Sequence, residues 1–597
     1  MLFSNELLSA QIFNKYVHYW LAAILLLAFG LRLHNLDAHG LFFDEKATMV
    51  AAQGMIQDGG NQHDVWDFGK YTFTNEEFWR AKSITRYYEA ITASDIGNSP
   101  FYYLLLHNWL KITGISDFNA RLFSVIFSTL TVLLLFFFTR HFLQSKAIAL
   151  TASALAAVEP FFVAYAQQAR NYSLTFFLTL LATYCFLRAL EVAQQNRSRV
   201  VVARWFLGYG LVAGLSLLSH FLAITVFLAH GLYALLFVRN LKTWLALGLA
   251  GILAVSGLAW WMNFGGGVWT LRSLAHQSAV YLECATNRPY TNPYGIILPA
   301  TIQNVAQKSL PIFSDLWIFS NGLVDKLTGK RNLFLALFWG VSFVFLYRFA
   351  RQKHPQLRWL VAAAVVGTLG SCWIYSNHAL GFVVLSGAVF MTYLVAETFF
   401  TTSIGYDKKL LWFFLILGLF PTFFLIFNAF RSGHTYGLTQ RYSGFSFPYV
   451  IILASIALGR LCQMKNELKY LIMSILLVQL LLIGQTLQTI YADVSLKYNY
   501  RLVARLPNPH QAAAVKAVEL YKTGDTLLLP APKNVFDNAM DRTYLPHSVV
   551  DAQYFNLYLP KAPIFVQKLD TLALHKIVLK KASGQLIELM DLKGKRY

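Results

Sequence analysis

The sequence predicts a mainly α, polytopic membrane protein, with interfacial helices in its first outer loop and a small C-terminal α/β extracytoplasmic domain. Three observations carry this. Of the 597 residues 56% are hydrophobic and 13% charged, with 49 phenylalanines, a composition too apolar for an ordinary soluble chain. Apolar stretches of bilayer-crossing length recur throughout residues 1–487. The basic residues behind the formal charge of +21 gather in alternate connections between those stretches, which is the positive-inside pattern and not a nucleic-acid-binding stripe.

A crossing helix takes roughly 20 mostly apolar residues, and about 13 stretches qualify. They are 17–33, 120–138, 147–166, 172–189, 205–219, 221–238, 243–262, 333–349, 359–376, 379–400, 410–429, 447–461 and 470–487. The first lacks a small-residue cleavage site and reads as a retained helix. With a cytoplasmic N-terminus, the cytoplasmic connections hold Arg140/Lys146, Arg188/Arg197/Arg199/Arg204, Arg239/Lys242, Arg348/Arg351/Lys353/Arg358, Lys408/Lys409 and Arg460/Lys465/Lys469. Every one is basic. The outer face then receives the loops 34–119, 263–331 and 430–446 and the tail 488–597.

This register requires the apolar segment Pro100–Gly114 not to cross. It is too short to span and is expected along the outer interface, with Tyr102, Tyr103 and Trp109 at headgroup depth. A second interfacial helix is expected through Glu76–Ala90. In the tail, Gln511–Tyr521 reads as a helix, Thr523-Gly524-Asp525 as a turn and Thr526–Leu529 as a buried strand. Lys576–Lys580 and Gln585–Leu589 read as a hairpin joined through Ser583-Gly584. The chain therefore divides at 487/488 into a transmembrane domain and an extracytoplasmic α/β domain. Four cysteines without CxxC spacing predict neither a zinc site nor a disulfide framework.

Three constellations on the outer face carry chemistry. In Leu41-Phe42-Phe43-Asp44-Glu45-Lys46, just past the first span, Asp44 and Glu45 are candidate catalytic carboxylates. A carboxylate there can take the proton of an attacking hydroxyl, and the plainer alternative is an acidic helix N-terminus. In the turn Tyr165-Ala-Gln-Gln-Ala-Arg-Asn-Tyr172, Gln168, Arg170 and Tyr172 are candidates to bind a phosphate or sugar hydroxyls, the plainer alternative being an interfacial anchor with Tyr165 and Tyr172 as belt residues. The loop with Arg431, His434, Arg441 and Tyr442 sets cations against the positive-inside rule, which either a bound lipid phosphate or general attraction to anionic headgroups explains. Lys82, with Lys70, Arg80 and Arg86, is a further cation candidate in the first loop. His107, His220 and His378 lie near outer helix ends, where a structural histidine is the commoner case. His63-Asp64 has no partner motif, so no metal is assigned, although divalent-metal assistance stays open.

Several segments, in order, resemble the GT-C membrane glycosyltransferases, specifically the glycosyltransferase family 39 group of protein O-mannosyltransferases and lipid A aminoarabinose transferases. They are Phe42-Phe43-Asp44-Glu45, Ser99-Pro100 through His107 with Trp109 and Gly114, Phe118-Asn-Ala-Arg121-Leu-Phe-Ser124, Tyr165–Tyr172, and Arg441-Tyr442 with Pro448. Two motifs depart from the family. Asn98-Ser99-Pro100 stands for His-Pro-Pro, and Gln167-Gln168-Ala169-Arg170 for Gln-Glu-Ala-Arg. The resemblance implies a polyprenyl-phosphate-linked sugar donor, used on the outer face with inversion, and a glycan, lipid or protein acceptor. It implies Asp44 as base or orienting carboxylate, and a hexosyl- or pentosyltransferase in a bacterial inner membrane. Arg441 would hold the donor phosphate, helped by Arg170, His434 or Lys82. His107 would line the site through its motif. Two alternatives need the same spans and cations: a lipid-linked sugar flippase or exporter, and a glycan polymerase or ligase.

Overall fold

The computed structural model describes residues 2–57, 71–94, 99–195, 197–323, 330–351, 357–374, 379–401, 406–465, 467–499, 503–533 and 546–596. The chain is an integral, multi-pass membrane protein of mostly helical structure. Among the described residues ten helices are long and apolar enough to cross a bilayer. An eleventh crossing is a pair, Lys146–Val158 and Pro160–Ala166, bent by 56°. The remaining two expected spans form the shorter apolar helices Phe221–Phe237 and Arg358–Trp373. The expected stretches are thus all helical, and the difference in number lies in length. The bend falls at Glu159, where Pro160 supplies no N–H to the preceding turn and the Glu159 backbone is extended.

Where side chains are small, helices approach closely. Gly210 and Gly214 lie four residues apart on helix Arg199–Leu217, and a methyl group at Gly210 would stand 2.8 Å from the carbonyl oxygen of Ala250. Gly214 meets the carbonyl of Ala254 in the same way, at 3.2 Å. Without a hydrophobic drive between helices in lipid, such contact between small residues is what packs them.

Ion pairs tie the helices together at the end away from Asp44, which is rich in basic residues. At the basic end, Arg188 and His141 both reach Glu191, at 2.7 and 2.9 Å. Arg351 and Arg460 share Glu397, and Arg358 meets Glu467. Helix Asp117–Leu143 runs from this end to the other, where Arg121 and the Asp44 motif lie.

The Pro100–Thr113 helix does not count among the spans. Its tyrosines correct one expectation. Tyr102 and Tyr103 are buried in protein at 1% and 2% exposure and do not face headgroups, while Trp109 donates its indole N–H to the Asn119 carbonyl at 2.8 Å. The expected helix Glu76–Ala90 is two, Asn75–Trp79 and Ile84–Ser94, because the chain turns extended at Arg80. The loop 263–331 holds helices Gly267–Asn287 and Ile302–Leu316.

The C-terminal part contains helices Pro509–Leu520 and Val550–Tyr558 and most of a five-stranded sheet. Its strands are β1 Thr72–Thr74, β2 Thr526–Pro530, β3 Val566–Asp570, β4 Lys576–Lys580 and β5 Leu586–Asp591, in the order β1-β3-β2-β4-β5. The β4–β5 hairpin turns through Gly584 at φ +88°. β2 and β3 are parallel, and β1 pairs antiparallel with β3 (Phe73 opposite Gln567). The edge strand thus comes from the loop after the first span. One hydrophobic core joins Met49, Phe73 and Tyr102 of that loop to Leu527, Phe555 and Leu579 of the tail.

Candidate functional site

The site starts just past the end of the first span. Phe42 ends an extended approach and helix Phe43–Ala52 begins. Glu45 caps it, accepting the Phe42 N–H on Oε2 at 3.1 Å. This one-sided cap satisfies an N–H that the helix itself cannot.

The adjacent carboxylates therefore take different places. Glu45 is fully buried and held in a bidentate pair with Arg121, with Nε and one terminal nitrogen each 2.9 Å from its two oxygens. The Ala169 N–H donates to it at 2.8 Å and Arg505 approaches at 3.4 Å. Arg121 spends its remaining donors on the carbonyls of Leu36, His39 and Gly40. All five N–H groups of a guanidinium are then used, and the first loop is tied to the end of a span. Arg505 extends the network. It pairs with Asp493 through Nε at 2.7 Å, reaches the Gly40 carbonyl at 2.9 Å, and covers the Phe42 ring. Glu45, expected beside Asp44 as a second catalytic carboxylate, is thus taken up by structure.

Asp44 stays accessible, its side chain 33% exposed and its Oδ2 3.7 Å from an Arg441 nitrogen. The Asp44 carbonyl accepts from Arg170 at 3.1 Å and from the Thr48 hydroxyl at 2.8 Å. Arg170 also donates to Thr48 Oγ1 at 2.7 Å. The helix backbone that presents Asp44 is held by these bonds, and the carboxylate is left to face Arg441.

Around Arg441 lie aromatic rings. Its guanidinium sits 4.8 Å over the Tyr442 ring. Tyr442 meets His220, His220 meets Tyr172, and Tyr172 meets Tyr165, with centroids 6.3, 5.8 and 5.2 Å apart. Next to Arg441, Gln440 donates to Asp315 Oδ2 at 3.2 Å, while Lys497 pairs with Oδ1 at 2.7 Å. The short helix Gln440–Ser446 is pressed close to its neighbours, since a methyl at Gly444 would overlap the rings of Phe176 and Phe161 at 2.2 and 2.5 Å.

The structure brings Asp44, Arg170, Tyr172, Arg441 and Tyr442 together. Gln168 lies beneath them, lining a small polar cavity with His39, Asp493 and Arg505, and its Oε1 has no hydrogen-bond partner among the described residues. Three candidates sit apart. Lys82 turns its ammonium onto the carbonyls of Phe78 and Arg80. His107 contacts the Ala52 carbonyl at 2.9 Å, at the opposite end of the Asp44 helix, with Tyr87 at 3.4 Å. His434 is buried. It accepts the Tyr436 N–H on Nδ1 and faces Ser278 at 3.1 Å through Nε2, and burial lowers its pKa. It is therefore a neutral structural ring. Lys70, His378 and His63-Asp64 lie outside the described residues. Among the described residues no three His, Cys, Asp or Glu side chains stand together as metal ligands.

Two carboxylates of the Arg121–Arg505 network, Glu45 and Asp493, contribute stability that acid removes. Burial would raise Glu45, but Arg121, Arg505 and the Ala169 N–H hold it below the ordinary carboxylate value. Asp493 is lowered likewise, burial being outweighed by Arg505. Each folded pKa lies below its unfolded counterpart at about 4, so in that interval the unfolded chain binds more protons and stability rises with pH. The contribution is complete above the unfolded value and is lost as pH falls through the folded values. Thermal unfolding in detergent from pH 7 to 3 is expected to show a drop below pH ~4 that is shallower in Asp493→Asn.

Residues 97–261 match the sequence family described as dolichyl-phosphate-mannose-protein mannosyltransferase. The matched stretch contains Ser99–His107, Arg121 and Tyr165–Tyr172, and it supports the GT-C resemblance drawn from those motifs. Nothing among curated proteins matches the chain. Among solved structures, the chain is similar to the protein O-mannosyltransferase complex of S. cerevisiae bound to the sugar donor, at 16% identity over 44% of this chain and 33% of that one, TM-score 0.29. It is similar to the oligosaccharyltransferase AglB of Archaeoglobus fulgidus, at 15% over 92% and 61%, TM-score 0.41. The apo ArnT of Cupriavidus metallidurans gives 11% over 92% and 85%, TM-score 0.38. The chain thus spans a third of the length of the first of these and about three fifths of the second.

Proposed function

We propose that this protein is a glycosyltransferase that moves a single sugar from a polyprenyl-phosphate donor to an acceptor on the outer face of the membrane, with inversion. The observation that carries the reading is the accessible Asp44 carboxylate facing the Arg441 guanidinium across 3.7 Å, while its neighbour Glu45 is buried and neutralised. The matched family's description, naming a dolichyl-phosphate sugar, supports a lipid-phosphate donor.

In this reading the donor phosphate takes Arg441, and the loose pair with Asp44 opens to admit the sugar. The acceptor oxygen attacks the anomeric carbon as the bond from that carbon to the phosphate oxygen breaks. Asp44 receives the proton of an attacking hydroxyl, or orients an acceptor that is already ionised. The leaving phosphate remains on its lipid, its growing charge stabilised by Arg441. Arg170 acts through the backbone, holding the Asp44 carbonyl. Tyr172 and Tyr442 supply ring surface beside the sugar. The acceptor is a glycan, a lipid or a protein, and the membrane is the bacterial inner membrane.

The test is transfer by purified protein from a panel of radiolabelled polyprenyl-phosphate sugars into membrane extract. Wild type is expected to label one acceptor class from one donor. Arg441→Ala should lower the rate about 10²–10³-fold, the scale for removing a group that stabilises developing charge. Lipid movement across vesicles without any glycosidic bond would replace this reading with an exporter. Addition of whole glycans would replace it with a polymerase or ligase.

A further inference from the structure

A large cavity lies at the basic end of the helices, away from Asp44. It has a volume of about 1080 Å³. It is walled by the start of helix Lys146–Val158 and the ends of helices Lys330–Arg351 and Phe447–Gln463. The site described above uses none of these segments.

Three cations border the cavity: Arg351, Arg460 and Lys465. One carboxylate lies behind them, Glu397, which takes both arginines, Arg351 at 2.8 Å. Arg460 also donates to the Leu394 carbonyl at 2.7 Å and is fixed in place. Lys465 is exposed. The described side chains thus leave the cavity with a positive surplus. Ser145 and Ala147, at the N-terminus of the 13-residue helix Lys146–Val158, also border it, and that end of a helix favours negative charge. Ile148, Ile456 and Leu458 make other parts of the wall apolar. Cations, a helix N-terminus and apolar walls around one opening match an amphiphile with a phosphate head, and the space is far larger than a free phosphate needs.

We infer that this cavity is a binding site for the headgroup of an anionic phospholipid on the face of the membrane opposite the Asp44 site. Basic pockets between membrane helices on the cytoplasmic side bind lipid phosphates through the same combination of charge and desolvation. The cations orient the head, and the apolar walls receive the upper part of the acyl chains.

Native mass spectrometry of the purified full chain in neutral detergent tests this, with phosphatidylglycerol, phosphatidylcholine and inorganic phosphate as probes. Wild type is expected to retain phosphatidylglycerol in preference to phosphatidylcholine. The double variant Arg351→Gln/Lys465→Gln should bind it roughly thirtyfold more weakly, the effect of removing two cations near a lipid surface. The variant's unfolding temperature without lipid serves as the control for folding, and Lys465→Gln alone, at an exposed position, replaces it if the double variant does not fold. Equal retention of both lipids by wild type would overturn the assignment, as would undiminished binding by a folded variant. Displacement of phosphatidylglycerol by millimolar inorganic phosphate would also overturn it, in favour of a site for a soluble anion.

Discussion

Asp44→Asn is expected to lower sugar transfer by about 10²–10⁴-fold, the range for a positioned proton acceptor, with no loss of folded protein. Both halves follow from the geometry. The structural bonds at this position use the backbone, the Asp44 carbonyl accepting from Arg170 and Thr48. The side chain, one third exposed, has a loose 3.7 Å contact with Arg441. An amide occupies the same space and still accepts a hydrogen bond, but it takes no proton. Transfer kinetics and thermal unfolding measured on the same preparation check the prediction. A variant that unfolds early, or one that transfers at the wild-type rate, would remove Asp44 from the proposed mechanism. If the acceptor is an ionised phosphate, the loss should fall at the lower end of the range.

The second large effect concerns Arg121 and stability. Arg121→Ala would leave Glu45 fully buried without its bidentate partner and would strip the carbonyls of Leu36, His39 and Gly40 of their donors. Breaking a buried pair from one side costs about 3–5 kcal/mol, against a total of about 5–15 kcal/mol for a folded protein. Little folded protein is expected in detergent. Arg121→Lys should rescue poorly, because three donors on a point charge cannot reproduce five on a planar fork. Fluorescence-detected size exclusion of the expressed variants reads this directly. Monodisperse Arg121→Ala at the wild-type level would show that Glu45 is neutralised by other means.

Much of the framework was legible in the amino-acid order, because membrane helices are written in local composition. Each of the expected spans is helical, and the tail hairpin falls at Lys576–Lys580 and Leu586–Asp591. Locally patterned sequence cannot show which distant charges meet. Arg121 stood inside a recognisable motif, yet nothing adjacent to it indicated that its partner was Glu45 rather than a ligand. Arg505, Asp493, Asp315 and Lys497 carry no local signature, since each is defined by a partner from another element. The reading of Tyr102 and Tyr103 as headgroup anchors failed for a similar reason. Amphipathic rings suit a membrane interface and a protein core equally well, and the tail supplies the core. His434 looked like an outward cation, but its ring nitrogens are already engaged by Tyr436 and Ser278.

The β1–β3 pairing has a consequence for the order of manufacture. Phe73 is synthesised about five hundred residues before its partner Gln567. Until then the loop bearing Asp44 emerges with an unpaired strand and half of its core uncovered. Closing so long a loop is slow, and the exposed edge is open to wrong partners in the meantime. Arg505, which reaches the Gly40 carbonyl and Glu45, arrives in the same late stretch. The nascent chain therefore acquires its spans early and its finished Asp44 loop last, so an interrupted synthesis leaves that loop without its partner strand and without Arg505.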